Sequence, residues 1–413
     1  MSIRAEPALM KLLNHRVRRS EVAHLAHDPR KAISERIGSG SSLGAPASWS
    51  HTRGAHAWTD EVRALGPCAA SQGSSEGSVN TPSPLVSIII ANFNYAEFVG
   101  AAIESALAQT YARIEVIVVD DGSTDHSMDE ISRFLPKIQL VQVKHQGQIG
   151  ACAEGFKLSR GDVLIFLDAD DVLLPDAVER LCLPFVACRE TVKVQGYMSV
   201  IDRDGQAMGE RIPGRLPASG DYRELTLRHG LLPLPFAYSS ANAWSRVYLQ
   251  QVFPLPPVGW LDDYLHDLAP LHGRIESLPE AVVQYRVHGS NSWYGSRVLT
   301  RQAMQDYVDK INRNLDYLVA FMGERGYPTK PLRWRRRKRS WRDVLIETTL
   351  SRMSDSGRGI NLLDFVLAPC GRGQASRLKR FVVSSFFVVI WLLPKRPSVA
   401  LAQWLLRSKG GWL

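Results

Sequence analysis

Between Leu85 and Leu167 the chain repeats one pattern: a short apolar run, a polar turn, then apolar positions at helical spacing. Leu85-Val86-Ser87-Ile88-Ile89-Ile90 reads as a buried, β-branched strand. Phe98, Ala102, Ile103, Ala106 and Leu107 then mark the inner face of a helix over 96–109. Ile114–Val119 is a second strand, followed by a helix that Asp125 is placed to cap and that ends near Phe134. Ile138–Val143 is a third strand, with Gly147 and Gly150 in the turn before a helix to about Leu158. Val163–Leu167 is the fourth. Strands alternating with helices imply right-handed crossovers and a mostly parallel sheet, hence an α/β, Rossmann-like fold.

Beyond Leu181 the pattern loosens. Val192–Val200 reads as a strand with a turn at Asp202-Arg203-Asp204-Gly205, and Pro and Gly break up much of 211–240. Phe236–Trp244 fits a strand or a cleft-lining segment, and 278–287 a turn and strand. Met304, Tyr307, Val308, Ile311, Leu315, Leu318 and Val319 give a helix over 301–325.

The flanks differ from this middle. Residues 1–84 carry runs such as Gly38-Ser39-Gly40-Ser41-Ser42 and read as a disordered extension, with the natural product expected to start near Val79. From Lys330 onward there are 18 Lys/Arg against 4 Asp/Glu, a net of +14, so the formal +9 of the whole leaves −5 for the rest. That places the basic character outside the folded middle. The expected division is 1–84, a folded domain over 85–297 (halves 85–185 and 186–297), a helical extension over 298–350 and a basic, apolar segment over 351–413. Cys68, Cys152, Cys182, Cys188 and Cys370 are odd in number and scattered, which argues against a disulfide framework and for a reducing compartment.

The chemistry gathers at strand ends. Ligands of open α/β sheets bind beyond the carboxyl ends of the strands, and here one strand ends in Asp120-Asp121-Gly122-Ser123 and another in Asp168-Ala169-Asp170-Asp171. Crowded carboxylates repel unless a cation neutralises them, and hard oxygen ligands suit Mg²⁺ or Mn²⁺. Taken alone, the second motif reads better as a solvated acidic turn capping the next helix.

Four segments in order decide the matter: Ile88-Ile-Ile-Ala-Asn-Phe-Asn, Ser105-Ala-Leu-Ala-Gln-Thr-Tyr, Val118-Val-Asp-Asp-Gly-Ser-Thr-Asp and Phe166-Leu-Asp-Ala-Asp-Asp. Together, over Val86–Leu181, they resemble the family 2 glycosyltransferases of GT-A fold. The chain departs from that pattern at Ala91-Asn92, where the family usually has Pro-Thr or Pro-Ser, and near Ala153, where an Asn is usual.

The resemblance implies a role for each matched position. Asp121 would accept a hydrogen bond from the nucleobase imide, favouring UDP- or TDP-sugars, with Ala91 and Phe93 bordering the nucleoside and Asp168 facing the ribose. Asp170 would bind the divalent cation, Mg²⁺ or Mn²⁺, while Asp171 supports the turn. Trp260-Leu261-Asp262-Asp263-Tyr264-Leu265 resembles the segment carrying the general base of inverting enzymes, with Asp263 preferred over Asp262 and helix capping the plain alternative. Tyr285-Arg286-Val287-His288 resembles a late motif in which His288 is a metal or diphosphate ligand or a structural residue. Arg286 would balance diphosphate charge or pair with a carboxylate.

The basic run Arg333–Arg339, with Trp334 inside it and Trp341 just beyond, and the thirteen-residue apolar run Phe381–Leu393 suggest an interfacial anchor on an anionic membrane, or else a hairpin packed on the domain. The expectation is a metal-dependent, inverting transferase that moves a sugar from a nucleotide-diphosphate sugar to a lipid-linked or surface-glycan hydroxyl. It would act at the cytoplasmic face of a bacterial membrane, with no nucleic-acid partner. The alternatives are a non-catalytic nucleotide- or glycan-binding protein of the same fold, and a sugar-nucleotide nucleotidyltransferase, which would carry a Gly-rich loop absent after the first strand.

Overall fold

The computed structural model describes residues 83–229, 232, 234–289, 291, 300–327, 341–353, 390, 392 and 395–407. The expected extension up to residue 82, the start near Val79, the basic run over 333–339 and most of the apolar run from Phe381 lie outside the described residues. Among the described residues no helix is long and apolar enough to cross a membrane.

Four parallel strands form the first half of the sheet: β1 (Val86–Asn92), β2 (Ile114–Asp120), β3 (Gln139–Gln142) and β4 (Val163–Asp168). They lie in the order β3-β2-β1-β4. Alternation along β1 splits the core between two faces. Ile88 and Ile90 pack with α1 (Val99–Leu107) and α4 (Ala177–Ala187). Ile89 packs on the other face with α3 (Gly147–Leu158). That helix lies so close to the sheet that a Cβ on Gly155 would come within 2.4 Å of Ile89. Between them α2 (Ser127–Ser132) follows β2. Its cap is His126, and Asp125 instead accepts from the Ser127 N–H (2.9 Å) and from the Ala96 N–H (3.0 Å), tying the turn after β2 to the turn after β1.

The short β5 (Val172–Leu173), β6 (Thr191–Ile201), β7 (Ala207–Ile212) and β8 (Gly220–Asp221) come next in the chain, and α5 (Arg223–His229) follows. The segment 236–244, for which patterning allows either strand or cleft lining, is both. A 3-10 turn at Ser239–Ala241 leads into β9 (Asn242–Ser245), which enters the sheet antiparallel between β4 and β6. After α6 (Arg246–Val252) and α7 (Leu261–His272), β10 (Arg274–Arg286) runs parallel to β6 and brings Arg286, His288 and Asn291 beside the end of β4. The result is the α/β, mostly parallel sheet flanked by helices that the patterning implied.

The C-terminal helices continue the packing. α8 (Arg301–Glu324) buries Leu315, Leu318, Phe321 and Met322 in the same core as Leu265 and Leu268 of α7. Ile346 and Leu350 of α9 (Trp341–Met353) close on Met304 and Val308, and α10 (Lys395–Arg407) packs on α9. One expectation fails: Cys188, just after α4, is disulfide-bonded, whereas Cys152 and Cys182 are buried thiols.

Candidate active site

Strand register builds the floor of the site. Ala91 lies opposite Asp168 and Asn92 opposite Asp120, so β1, β2 and β4 deliver their polar ends to one edge. There a cavity of about 270 Å³ opens, walled by residues from Ala91 to Asn291.

At one end lie Ala91, Phe93, Asp121, His145, Gly147 and Gln148. The Asp121 carboxylate is buried and holds the 145–147 turn: Oδ1 accepts from the Gln146 N–H and Oδ2 from the Gly147 N–H, both at 2.8 Å. His145 Nδ1 lies 2.9 Å from the same carboxylate, and its ring stacks on Phe93 at 4.0 Å. Gly122, at φ 77, makes the tight turn that lets 143–145 approach. Asn92 is part of this frame, donating to Asp120 Oδ1 (2.9 Å) and to Ser123 Oγ (3.1 Å).

The middle is acidic. Asp168 accepts from Gln148 Nε2 at 2.7 Å. Burial first, then the charges of Asp170 and Asp262, push its carboxyl up to about 8. Asp170 Oδ2 lies 2.9 Å from His288 Nε2, and that imidazole is enclosed by Phe98 (4.7 Å) and Tyr95 (5.7 Å, edge-on). Asp171 does structural work. Its oxygens accept from Ser240 Oγ (2.6 Å) and from the Arg286 N–H (3.1 Å), and Ser240 Oγ also accepts from the Asp168 N–H (3.0 Å). Burial, then Asp170 and Asp168, raise its pKa well above the carboxylate range. Asn291 closes the knot, donating to the Arg286 carbonyl (2.7 Å) and accepting from the His288 N–H (2.8 Å).

Arg286 lies outside the cavity wall. Its guanidinium donates to the main-chain carbonyls of Asp170 (3.0 Å) and Arg203 (2.9 Å) and sits over Phe98. That bonding makes it a clamp between the turns after β4 and β6.

The far end is aromatic: Tyr238, Trp260 and Tyr285, with Asp262 among them. Of the two acids opening α7, Asp262 lines the cavity, whereas Asp263 is buried and absent from that wall. The preference for Asp263 over Asp262 thus meets a geometry that favours its neighbour. A helix turns by about 100° per residue, so adjacent side chains cannot share a face.

Among the described residues no three His, Cys, Asp or Glu side chains form a ready-made metal cage. Asp170 and His288 do stand within 2.9 Å of each other, beside a carboxyl group whose ionisation its neighbours oppose. A divalent cation that takes two protein ligands and leaves the rest of its shell to substrate oxygens fits this donor set.

The sequence motifs located Asp121, Asp168, Asp170 and Asp262 but missed His145, Gln148, Ser240 and Trp260. Applying the strand-end rule to β3 would have found the 145–148 turn. Ser240 carries no signal in the sequence.

Comparison with known proteins finds similar sequences and structures. The family model described as Glycosyl transferase family 2 matches residues 87–253. An uncharacterised glycosyltransferase of Nostoc sp. is 33% identical over 249 residues, which span 59% of this chain and 77% of the relative. Among solved structures, the mannosyltransferase PcManGT of Pyrobaculum calidifontis, in complex with GDP-Man and Mn²⁺, is similar at 17% identity and TM-score 0.43, covering 79% of this chain and 86% of its own. TarS of S. aureus, in complex with UDP-GlcNAc, is similar at 14% identity and TM-score 0.45, covering 78% and 90%.

Proposed function

The chain belongs to glycosyl transferase family 2 and is a glycosyltransferase; we propose that it moves a sugar from a nucleoside-diphosphate sugar to a glycan hydroxyl, with inversion, using Mg²⁺ or Mn²⁺. The observation that carries this reading is the charge of the cavity wall. Asp121, Asp168, Asp170 and Asp262 line it, and among the described residues no Lys or Arg does. A diphosphate entering such a wall meets acidic side chains and no Lys or Arg to balance it, so a bound cation must supply the positive charge.

In this reading the Phe93–His145 stack and the Asp121 turn border the base, with uracil or thymine favoured because a carboxylate accepts from an imide N–H. Asp168 faces the ribose. Asp170 and His288 hold the cation, which when bound supplies Lewis-acid stabilisation of the charge developing on the leaving diphosphate. Arg286 positions Asp170 and does not contact phosphate. Asp262 takes the proton of the acceptor hydroxyl as its oxygen bonds to the anomeric carbon. Attack from the Asp262 side, opposite the departing nucleotide, inverts that carbon. The C-terminal net charge of +14 supports docking at an anionic, inner membrane face, where lipid-linked or surface glycans are extended.

The test is nucleoside diphosphate release from a panel of nucleotide sugars, with Mn²⁺ or with EDTA. Release from a UDP- or TDP-sugar in Mn²⁺ is expected. Asp170→Asn should lower it roughly a thousandfold, the scale of several kcal/mol of lost charge stabilisation. Full activity in that variant, or release of pyrophosphate, overturns the reading.

A further inference from the structure

The aromatic end of the cavity says what the acceptor is. Trp260 lies at the N-cap of α7, two residues before Asp262, and both line the cavity with Tyr238 and Tyr285. Helix α8, which begins well beyond the stretch matched by the family model, backs the indole. Tyr307 lies 5.4 Å from it, ring to ring, and Lys310 Nζ 5.4 Å from its centroid. The cation over the ring and the tyrosine beside it pin the indole in one orientation.

We propose that Trp260 is the platform for an uncharged pyranose ring of the acceptor, a subsite completed by α8 and resting on the donor reading above. Three features point to this ligand class. Aromatic side chains interleaved with one carboxylate suit a molecule with an apolar C–H face and hydroxyl edges. Trp260 and Asp262 line one cavity, so a ring lying on the indole shares that space with the group that must take its hydroxyl proton. The wall also has four carboxylates and, among the described residues, no Lys or Arg (Lys310, over the indole, is not part of the wall), so it favours an uncharged acceptor over one bearing phosphate or carboxylate at the reacting sugar. The acceptor is therefore a neutral sugar hydroxyl, and the bare phosphate of a lipid carrier is not the nucleophile.

Saturation-transfer NMR on the full chain tests this, with methyl β-D-glucopyranoside, methyl β-D-glucopyranosiduronate and farnesyl phosphate as probes, each with and without UDP and Mn²⁺. Transfer to the ring protons of the neutral glycoside alone is expected. Trp260→Ala should weaken that binding roughly tenfold, and Trp260→Phe should restore most of it. Circular dichroism checks that each variant folds. A neutral glycoside that binds Trp260→Ala as well as it binds the unmodified chain overturns the proposal, as does preferred binding of the uronide or the phosphate. Failure of the unmodified chain to bind UDP would instead sink the donor reading, while the nucleotide-free glycoside titration still decides the platform.

Discussion

The two ends of the cavity differ in how the chain assembles them. At one end Ala91, Phe93, Asp121, Asp168 and Asp170 all sit at or just past the ends of β1, β2 and β4, adjacent parallel strands of the sheet. The turns there hold one another through main-chain N–H groups, as Asp121 is held by Gln146 and Gly147. At the other end Tyr238, Trp260, Asp262 and Tyr285 arrive from a 3-10 turn, a helix start and the end of β10, with α8 against Trp260. The first end is polar and made by local chain geometry, and the second is aromatic and made by packing.

The sharpest way to break this division is to exchange the two acids at its border. Asp262→Asn should lower kcat by about 10²–10⁴, the usual contribution of a general base, while UDP affinity stays measurable by calorimetry. Asp263→Asn should cost much less activity and more stability, because that group is buried outside the cavity wall. The reverse ranking would move the base to Asp263 and redraw the border.

A second experiment sharpens the acidic middle. Asp168 has its pKa raised to about 8. Its ionisation therefore costs the folded state nothing below the ordinary carboxylate range, and the full cost is present only above about 8. In EDTA, the melting temperature of Asp168→Asn minus that of the unmodified chain should increase from pH 4 to pH 8, by on the order of a few degrees. Mn²⁺ should shrink the difference. A flat difference across that range would mean that the carboxylates do not crowd as the geometry indicates.

The smallest effect concerns the bond that joins the two ends. Ser240, two residues from the aromatic Tyr238, donates to Asp171 and accepts from the Asp168 N–H. Ser240→Ala should destabilise the protein by about 1–3 kcal/mol in urea unfolding, the cost of leaving buried polar groups unpaired. Thr at this position should recover part of it. No change in either variant would show that the acidic turn holds itself without the acceptor half.

Much of the donor end is legible in the residues alone. Apolar runs of strand length ending in Asp-Asp-Gly-Ser and Asp-Ala-Asp-Asp specify both the sheet and the edge that carries Asp121, Asp168 and Asp170, because a strand is a local object and its carboxyl end is a binding position. Resemblance to the family also points to the α7 acids and His288, and chain patterning places the long helix over 301–325. It cannot tell Asp262 from Asp263, since that depends on how α7 rotates against β6 and α8. Nor can it show Arg286 turned onto main-chain carbonyls, Ser240 bonded across 72 residues to the acidic turn, or Trp260 backed by Tyr307. Those arrangements need partners distant in sequence, brought together by burial of apolar faces, a force that carries no direction of its own. The sequence by itself determined the parallel sheet and its acidic edge; the tertiary packing alone decided that Asp262 and Trp260 line the cavity while Asp263 is buried outside its wall.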